Sequence, residues 1–365
     1  MIGAGRSGPA AMATVGVATV VAVAALALPL VLSAGMLTVY VTVGLAAIVA
    51  TGVSLLMGYA GQVSLGQAAF FAAGAYTAGL MSVHGVPRLV GLACAPLAAG
   101  LLAALVGVPL LRLRGHYLAF ATLAFQLILL SVLGQQAWAG GDIGLQGIPQ
   151  LGAGSAELDS VRSYAWVTWA ALGVVLALTG LVISSRPGRG LRALATSETA
   201  AESSGVPVGR YKLAVFGLSA GYAGLAGGIY AFFLGYLSPG SFPVLLSFQY
   251  VVMAVIGGLG TIWGGLLGSA VITVLVQLLN SLGTQPGMPS YAPTVFSYAV
   301  YALVLVLALL FLPRGLLPGA TDWWRRRVAA RHPVDRQPSD RASNRPSGRL
   351  DPADPAGSTT VHEGT

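Results

Sequence analysis

The sequence predicts an all-α fold, a bundle of helices that crosses a membrane about ten times. Of the 365 residues, 56% are hydrophobic and only 8% are charged, whereas soluble domains carry about 25% charged residues. Apolar stretches of about 20 residues, the length that a helix needs to cross the hydrocarbon core, recur along the chain. The outer surface of the folded chain is therefore expected to face lipid.

The apolar stretches place the spans, whose number we set at about ten, with about 8 to 11 as the range. They run roughly over residues 11–32, 37–57, 63–83, 89–111, 117–136, 164–184, 213–234, 244–262, 263–282 and 291–312. The first stretch is longer than the apolar part of a signal peptide, so we interpret it as a retained span. Gly-rich sequence joins the eighth and ninth spans, which indicates a broken or re-entrant element there.

The distribution of charge divides the chain and orients it. Residues 1–10 form a short N-terminal segment, residues 11–318 form the membrane region, and residues 319–365 form a tail whose composition predicts disorder. With ten spans and the N-terminus inside, the only basic residues (Lys or Arg) in the outside segments are Arg88 and Arg162. Because positive loops stay in the cytoplasm, both termini are predicted to be cytoplasmic. The net charge of +8 is thus a consequence of topology, and we expect no nucleic-acid partner.

The residue types that catalysis requires are missing from the spans. The single cysteine, Cys94, excludes a multi-cysteine metal site, and no predicted span contains the Asp, Glu or Arg of a proton relay. A P-loop needs a Lys between Gly and Ser or Thr, which the only lysine, Lys212, does not provide. We therefore expect no catalytic residue, no metal and no cofactor bound by this chain.

Small and polar residues beside the expected helix breaks are candidates for a translocation path. In the first half these are Gln62, Ser64 and Gln67, whose amide and hydroxyl groups suit a path through the bundle. In the second half the candidates are Gly257, Gly258 and Gly260. Interhelical hydrogen bonding is an equally good interpretation of the three polar residues, and helix packing is the simpler interpretation of each glycine.

The polar loop 185–212 is the most informative segment of the chain. Pro187 and Gly188 are expected to break the preceding helix, and residues 191–204 then predict one short helix. Gly205 occupies the position of a C-terminal cap, and Pro207 prevents the helix from continuing. A short helix between two spans on the cytoplasmic face can dock into a groove of a partner. An ordinary surface helix is the alternative.

Several segments together resemble the permease subunits of ATP-driven (ABC) importers. Thr199-Ala200-Ala201, with Gly205 four residues after Ala201, is similar to the EAA loop, whose coupling helix sits on the ATPase subunit. Thr199 replaces the Glu of that motif, as is common in the branched-chain amino acid branch. Further matches to that branch, in the family's order, are Gly58–Leu80, Arg112–Phe125, Gly140–Pro149, Gly188–Ala226 and Val255–Ser269.

The resemblance extends over residues 36–318 and points to the longer of the two permeases of the high-affinity branched-chain amino acid system. It implies an ABC-permease fold in the cell (inner) membrane, with loop 185–212 as the coupling loop. The coupling residues that it implies are Leu191, Leu194, Thr199, Ala200, Ala201, Glu202 and Gly205.

The resemblance also implies partners and a solute. The partners are two ATPase subunits that use the ATP, a second homologous permease and an extracytoplasmic solute-binding protein. The chain itself is then not an enzyme. The implied solute is a branched-chain amino acid, with urea or a short-chain amide as the alternative, because those permeases share much of this sequence. The pair Asp142-Ile143 departs from the commoner Pro-Asn of the family. A stand-alone secondary transporter is the alternative from another class, and it has no need of the coupling loop.

Overall fold

A computed structural model describes residues 27–113, 115–153, 156–157 and 160–283, together with the single positions 295, 299 and 303. A helical stretch over residues 27–31 precedes the main helices. These are α1 (Ala34–Ala60), α2 (Gln67–Val83), α3 (Arg88–Leu110), α4 (His116–Gln135), α5 (Val161–Ser184), α6 (Arg186–Thr196), α7 (Glu198–Ser203), α8 (Val208–Leu234), α9 (Val244–Gly257) and α10 (Gly264–Gly283).

Apart from the α-helices, the described chain contains little regular secondary structure. Single 3₁₀ turns cover Ala137–Ala139 and Pro239–Ser241, and β1 (Gly152–Ala153) pairs antiparallel with β2 (Ala156–Glu157). An isolated bridge joins Leu145 to Leu237, which ties the Gly-rich loop before β1 to the end of α8. The predicted all-helical bundle is therefore confirmed for the described residues.

The predicted number of spans is not confirmed. Among the described residues, six helical segments are long and apolar enough to cross a membrane, namely α1, α3, α4, α5, α8 and the segment Pro239–Gly257 that contains α9. The 17-residue α2 and the apolar stretch Gly264–Leu278 of α10 are shorter. The predicted first and last spans, 11–32 and 291–312, lie largely outside the described residues, and residues 1–10 and 319–365 lie wholly outside them.

Helix α1 forms the centre of the bundle. It contacts α5, α8, α9 and α10. In its most apolar stretch of 18 residues, 89% of the residues are buried, whereas the corresponding share is 22% in α3 and in α5. An apolar helix without a polar face must be covered on all sides by lipid or by protein. Protein covers α1, whereas α3 and α5 direct most of their surface outward, as expected of helices that face lipid.

A close helix crossing joins α2 to α8 through glycines. A Cβ atom at Gly74 would overlap with the backbone of Gly224, and one at Gly227 would overlap with the carbonyl oxygen of Phe71. Small residues allow such an approach between membrane helices. Gln67 lies beside Ser219 and Gly74 beside Gly224, so the two helices run in the same direction.

Two Gly-rich segments between helices are not helical, and we name residues 61–66 and 258–263 the interrupted regions. Residues 61–66 are not helical, so α2 begins at Gln67 and not at 63 as predicted, and Leu65 N–H donates to Thr122 Oγ1 at 3.0 Å. Residues 258–263 separate α9 from α10, because α9 ends at Gly257 and not at 262. The tertiary hydrogen bond of Leu65 stabilises the extended backbone before α2, which local propensity alone does not predict.

The prediction of one helix over residues 191–204 is wrong, because α6 and α7 are separate helices that meet at Ser197. This residue has an extended backbone (φ −161°), and its Oγ accepts a hydrogen bond from Ala200 N–H at 3.3 Å. Serine favours such a cap over an interior helical position. The loop is also shorter than predicted. Pro187 lies in the first turn of α6, and α8 begins at Val208 and not at 213.

The predicted C-terminal cap at Gly205 is confirmed. Gly205 has φ +79°, its N–H donates to Glu202 O at 2.9 Å, and Val206 N–H donates to Ala201 O at 3.0 Å. These two hydrogen bonds form a Schellman motif, which satisfies the last carbonyl groups of α7. The motif fixes the direction in which the chain leaves α7 towards α8.

The crossing of α2 and α8 predicts the outcome of two matched glycine substitutions. Gly227→Ala is expected to lower the free energy of unfolding by about 1–3 kcal/mol, because the added methyl group overlaps with backbone. Gly173→Ala in α5, where a Cβ would meet nothing within 4 Å, is expected to be neutral or slightly stabilising. Thermal unfolding of the detergent-purified variants measures both, and equal melting temperatures would contradict the crossing.

The Schellman motif predicts opposite effects for two neighbouring glycines. Gly205→Ala is expected to cost about 1 kcal/mol, because a Cβ disfavours a positive φ. Gly209→Ala, inside α8 with open space around the added methyl group, is expected to stabilise by about 0.5–1 kcal/mol. Denaturant unfolding followed by a fluorophore near α7 measures the difference. The assignment of Gly205 as the C-terminal cap of α7 is wrong if both variants shift the denaturant midpoint of unfolding in the same direction.

Candidate functional site

Helices α6 and α7 lie together at one end of the bundle. α6 packs against α1, α5 and α8, and α7 packs against α6 and α8. This is the end at which α5 stops at Ser184 and α8 begins at Val208. The predicted coupling loop is therefore a folded layer on the bundle.

The seven predicted coupling residues divide into two groups. Leu191, Leu194 and Ala201 are buried, with 2%, 6% and 1% of their surface exposed. The other four are exposed and define what we name the α7 outer face: Thr199, Ala200, Glu202 and Gly205. The buried group holds the two helices on the bundle, and the α7 outer face is the part that a partner can contact.

A small apolar cluster fastens α7 to the start of α8. Leu194, Ala201 and Val208 form its core, with Val206 and Tyr211 packed against it. Together with the Schellman motif, this cluster fixes α7 relative to the first turns of α8.

An ion pair joins the same two helices. Lys212 Nζ donates to Glu198 Oε1 at 2.6 Å, and the two side chains are 19% and 48% exposed. Partly exposed pairs of this kind contribute only about 0.2–1 kcal/mol. The pair therefore orients α7, while the apolar cluster provides most of the attachment.

Gln67, the first residue of α2, is fully buried and bonded to α8. Its Nε2 donates to Ser219 Oγ at 3.1 Å. Because Ser219 lies near the middle of α8, α2 begins deep inside the bundle and not at its surface. Non-helical backbone at membrane depth occurs only where protein or a water-filled cavity covers it, and here protein covers Gln62, Ser64 and Gly66, whereas Gly61 and Val63 are exposed.

A second buried hydrogen-bond chain lies beside this point. Ala68 N–H donates to Ser247 Oγ at 2.9 Å, and Ser247 Oγ donates to Gln126 Oε1 at 2.7 Å. Gln126 Nε2 in turn donates to the carbonyl oxygen of Phe242 at 3.3 Å. The chain links α2, α9, α4 and the segment before α9 through uncharged groups.

Sequence reasoning missed Ser219, Gln126 and Ser247. Each is a polar residue between two apolar neighbours in a helix, and that local isolation is the signal that could have identified them. A buried amide or hydroxyl in a span must find a partner, so each indicates an interhelical hydrogen bond.

The other predicted path residues of the first half are also buried. Gln62 is 4% exposed and Ser64 is 1% exposed, and Ser64 Oγ accepts from Gly66 N–H at 3.4 Å. Among the described residues, the Oε1 atoms of Gln62 and Gln67 have no hydrogen-bond partner. Gln67 therefore makes an interhelical hydrogen bond with one end of its amide and keeps an unused acceptor at the other.

The two interrupted regions touch each other. A Cβ atom at Gly58 would overlap with the backbone of Gly260, and Gly260 N–H donates to Ser54 Oγ at 3.2 Å. Gly258 and Gly260 have φ values of +112° and +72°, whereas Gly257 packs directly on Gly264. The Gly-rich segments of the two halves thus meet on α1, near the end of the bundle that carries α6.

The opposite end of the bundle carries an open cleft of about 520 Å³. It lies between the α2–α3 connection and the Gly-rich loop that precedes β1. Its lining residues are Ser82, Gly85, Val86, Pro87, Arg88, Leu89, Pro149 and Gly152. No cluster of three or more His, Cys, Asp or Glu side chains that could hold a metal occurs in the part of the chain that the structure describes.

Known proteins provide an independent comparison. The chain is 29% identical over 327 residues to the high-affinity branched-chain amino acid transport system permease protein LivM of Salmonella typhimurium, and equally to that of Escherichia coli; each match covers 81% of this chain and 73% of the relative. It is also 29% identical over 164 residues to the permease protein LivH of Salmonella typhimurium, which covers 45% of this chain and 49% of LivH. No solved structure matches the chain significantly.

A family model matches most of the chain. The family model described as "Branched-chain amino acid transport system / permease component" matches residues 35–309. The matched range begins with α1 and includes all helices from α1 to α10. The resemblance inferred from the sequence is thus confirmed, and the chain belongs to the family of permease components of branched-chain amino acid transport systems.

Proposed function

We propose that this chain is the permease subunit through which an ATP-driven importer moves branched-chain amino acids across the cell membrane. The family match and the similarity to LivM and LivH support the solute class. The observation that carries the link to ATP is the α7 outer face, which is exposed although α7 itself is fixed to the bundle. Such a face suits a rigid contact with an ATPase.

The proposed complex contains this chain, a second homologous permease, two ATPase subunits and an extracytoplasmic solute-binding protein. Similarity to both LivM and LivH supports a pair of related permeases. The ATPases lie below the α7 outer face, and the solute-binding protein docks at the end of the bundle that carries the open cleft. The arginine distribution supports cytoplasmic termini and a cytoplasmic position for α6 and α7.

In the proposed mechanism, closure of the ATPases moves α7, and α8 moves with it. The apolar cluster and the Schellman motif make α7 and the start of α8 one unit. α8 is continuous to Ser219, whose hydroxyl contacts Gln67 at the start of α2. The movement therefore reaches the interrupted region beside the proposed path, which Gln62, Ser64 and Gln67 line together with Gly257, Gly258 and Gly260.

An uptake assay tests the proposed function. Proteoliposomes that contain the two permeases and the ATPases, with the solute-binding protein outside, are expected to accumulate leucine only when ATP is inside. Urea and acetamide should not compete. Accumulation that follows a sodium or proton gradient without ATP would contradict the importer, and ATP-dependent urea uptake without leucine uptake would contradict the solute.

The α7 outer face predicts a separation between folding and coupling. Ala200→Arg places a bulky charge on an exposed site, so stability should change by less than about 0.5 kcal/mol. ATP-dependent leucine uptake is expected to fall by about tenfold or more, since a charge at the centre of an interface costs several kcal/mol. Co-purification of the ATPase measures the contact directly.

A matched control introduces the same charge at the other end of the bundle. Gln146→Arg, at an exposed position in the loop between α4 and α5, should leave ATPase co-purification unchanged. Ala201→Arg is unsuitable as a test of docking, because Ala201 is buried in the apolar cluster and its replacement would disturb the fold. The coupling role of the α7 outer face is wrong if the ATPase co-purifies equally well with Ala200→Arg and Gln146→Arg.

A further inference from the structure

Five aromatic rings meet inside the bundle and form what we name the aromatic cluster: Phe71, Tyr76, Tyr230, Phe242 and Tyr250. Phe242 contacts three of the other rings, with centroids 5.7 Å from Phe71, 6.0 Å from Tyr230 and 6.2 Å from Tyr76. Phe71 also lies 5.2 Å from Tyr230 and 6.2 Å from Tyr250. Such edge-to-face and tilted pairs pack well in an apolar interior.

Phe242 differs from the other four rings in the backbone that carries it. Phe71 and Tyr76 lie on α2, Tyr230 on α8 and Tyr250 on α9, whereas Phe242 lies on the segment 235–243, which is not α-helical. Its carbonyl oxygen accepts the bond from Gln126, near the middle of α4. Phe242 is therefore held deep inside the membrane region on irregular backbone, which is tolerated at that depth in the protein interior or along a solute cavity.

Tyr76 brings an unused polar group into the same cluster. Its side chain is 3% exposed, and its hydroxyl has no hydrogen-bond partner among the described residues. Buried tyrosine hydroxyls usually find a partner, and an unmade hydrogen bond of this kind costs about 1–3 kcal/mol. The unpaired Tyr76 hydroxyl is therefore available to form a hydrogen bond with a ligand.

We propose that the aromatic cluster is the intramembrane binding site for the solute, and that the ring of Phe242 occupies this site when no solute is present. The inference rests on the proposed function and names the site at which that function is carried out. The solute that fits has an aliphatic side chain to lie between the rings and a charged backbone to bond the Tyr76 hydroxyl. A branched-chain amino acid has both parts, whereas urea has no apolar part.

The segment that carries Phe242 makes the exchange feasible. The Phe242 backbone makes two hydrogen bonds: its carbonyl oxygen accepts from Gln126 Nε2 at 3.3 Å, and its N–H donates to Pro239 O at 3.2 Å. Moving Phe242 away from the cluster requires no α-helical turn to unwind. The four remaining rings stay on their helices and keep the shape of the site. Phe242 thus acts as a gate. Its ring fills the site when no solute is present, and the solute's side chain takes that place during passage.

Removal of the gate ring tests the proposal in the complete transporter. Proteoliposomes are loaded with labelled leucine and kept without ATP. Phe242→Ala is expected to raise leucine efflux by about tenfold over the unmodified protein, because the ring that fills the site is gone. Phe216→Ala removes an equally buried ring that contacts Phe70 outside the cluster and should leave efflux unchanged.

A second variant removes only the polar group. Tyr76→Phe keeps all five rings and is expected to slow ATP-dependent leucine uptake by about tenfold, because the hydrogen bond to the charged solute is lost. This variant decides the question if Phe242→Ala fails to assemble. Unchanged uptake by Tyr76→Phe overturns the proposal, as does an efflux from Phe242→Ala that is equal for urea and leucine or is matched by Phe216→Ala.

The two proposals fail in different ways. If the unmodified transporter does not accumulate leucine with ATP, the proposed function is wrong. If the unmodified transporter accumulates leucine but the Phe242 and Tyr76 variants behave as it does, only the binding site is wrong.

Discussion

The close crossing of α2 and α8 is the constraint on which the rest of the bundle depends. Gly74, Gly224 and Gly227 bring the two backbones into contact, and such close packing is needed in a membrane, because lipid offers no hydrophobic drive for helices to associate. The crossing fixes the height of Gln67 against Ser219. It thereby places the break before α2 inside the protein, where tertiary hydrogen bonds can satisfy its backbone.

The same crossing connects the two ends of the molecule. α8 begins at the apolar cluster that holds α7 and passes Ser219 before it reaches Tyr230 in the aromatic cluster. In the proposed mechanism this continuous helix moves as one body, so that a displacement at its start reaches Ser219 and Tyr230. The three attachments on α8 are what would connect helices α6 and α7 with the proposed path.

No charged residue is buried in the part of the chain that the structure describes, and this suits a zwitterionic solute. The described interior uses amides and hydroxyls, in the chain from Ala68 through Ser247 to Gln126 and in the bond from Gln67 to Ser219. A fixed carboxylate or guanidinium at this depth would be costly and would hold one end of a zwitterion too tightly for release. Neutral dipoles bind both ends weakly, which a path needs if a separate protein provides the affinity.

The sequence by itself determined the class, the family and the local signals. Apolar stretches predicted the helices, and Gly205 and Pro207 predicted the cap after α7. The motifs from Gly58 to Ser269 predicted the family. These predictions succeeded because composition, caps and short motifs depend on neighbouring residues. Only the tertiary structure decided that α6 and α7 separate at Ser197, that Leu191 and Ala201 are buried, and that Phe242 meets Tyr76. The burial of Leu191 and Ala201 and the ring contact of Phe242 depend on groups elsewhere in the chain, and no local propensity contains that information. The cap at Ser197 is a local bond to Ala200 N–H, but the sequence also allowed a continuous helix, and the packing of α6 and α7 on the bundle decided between the two.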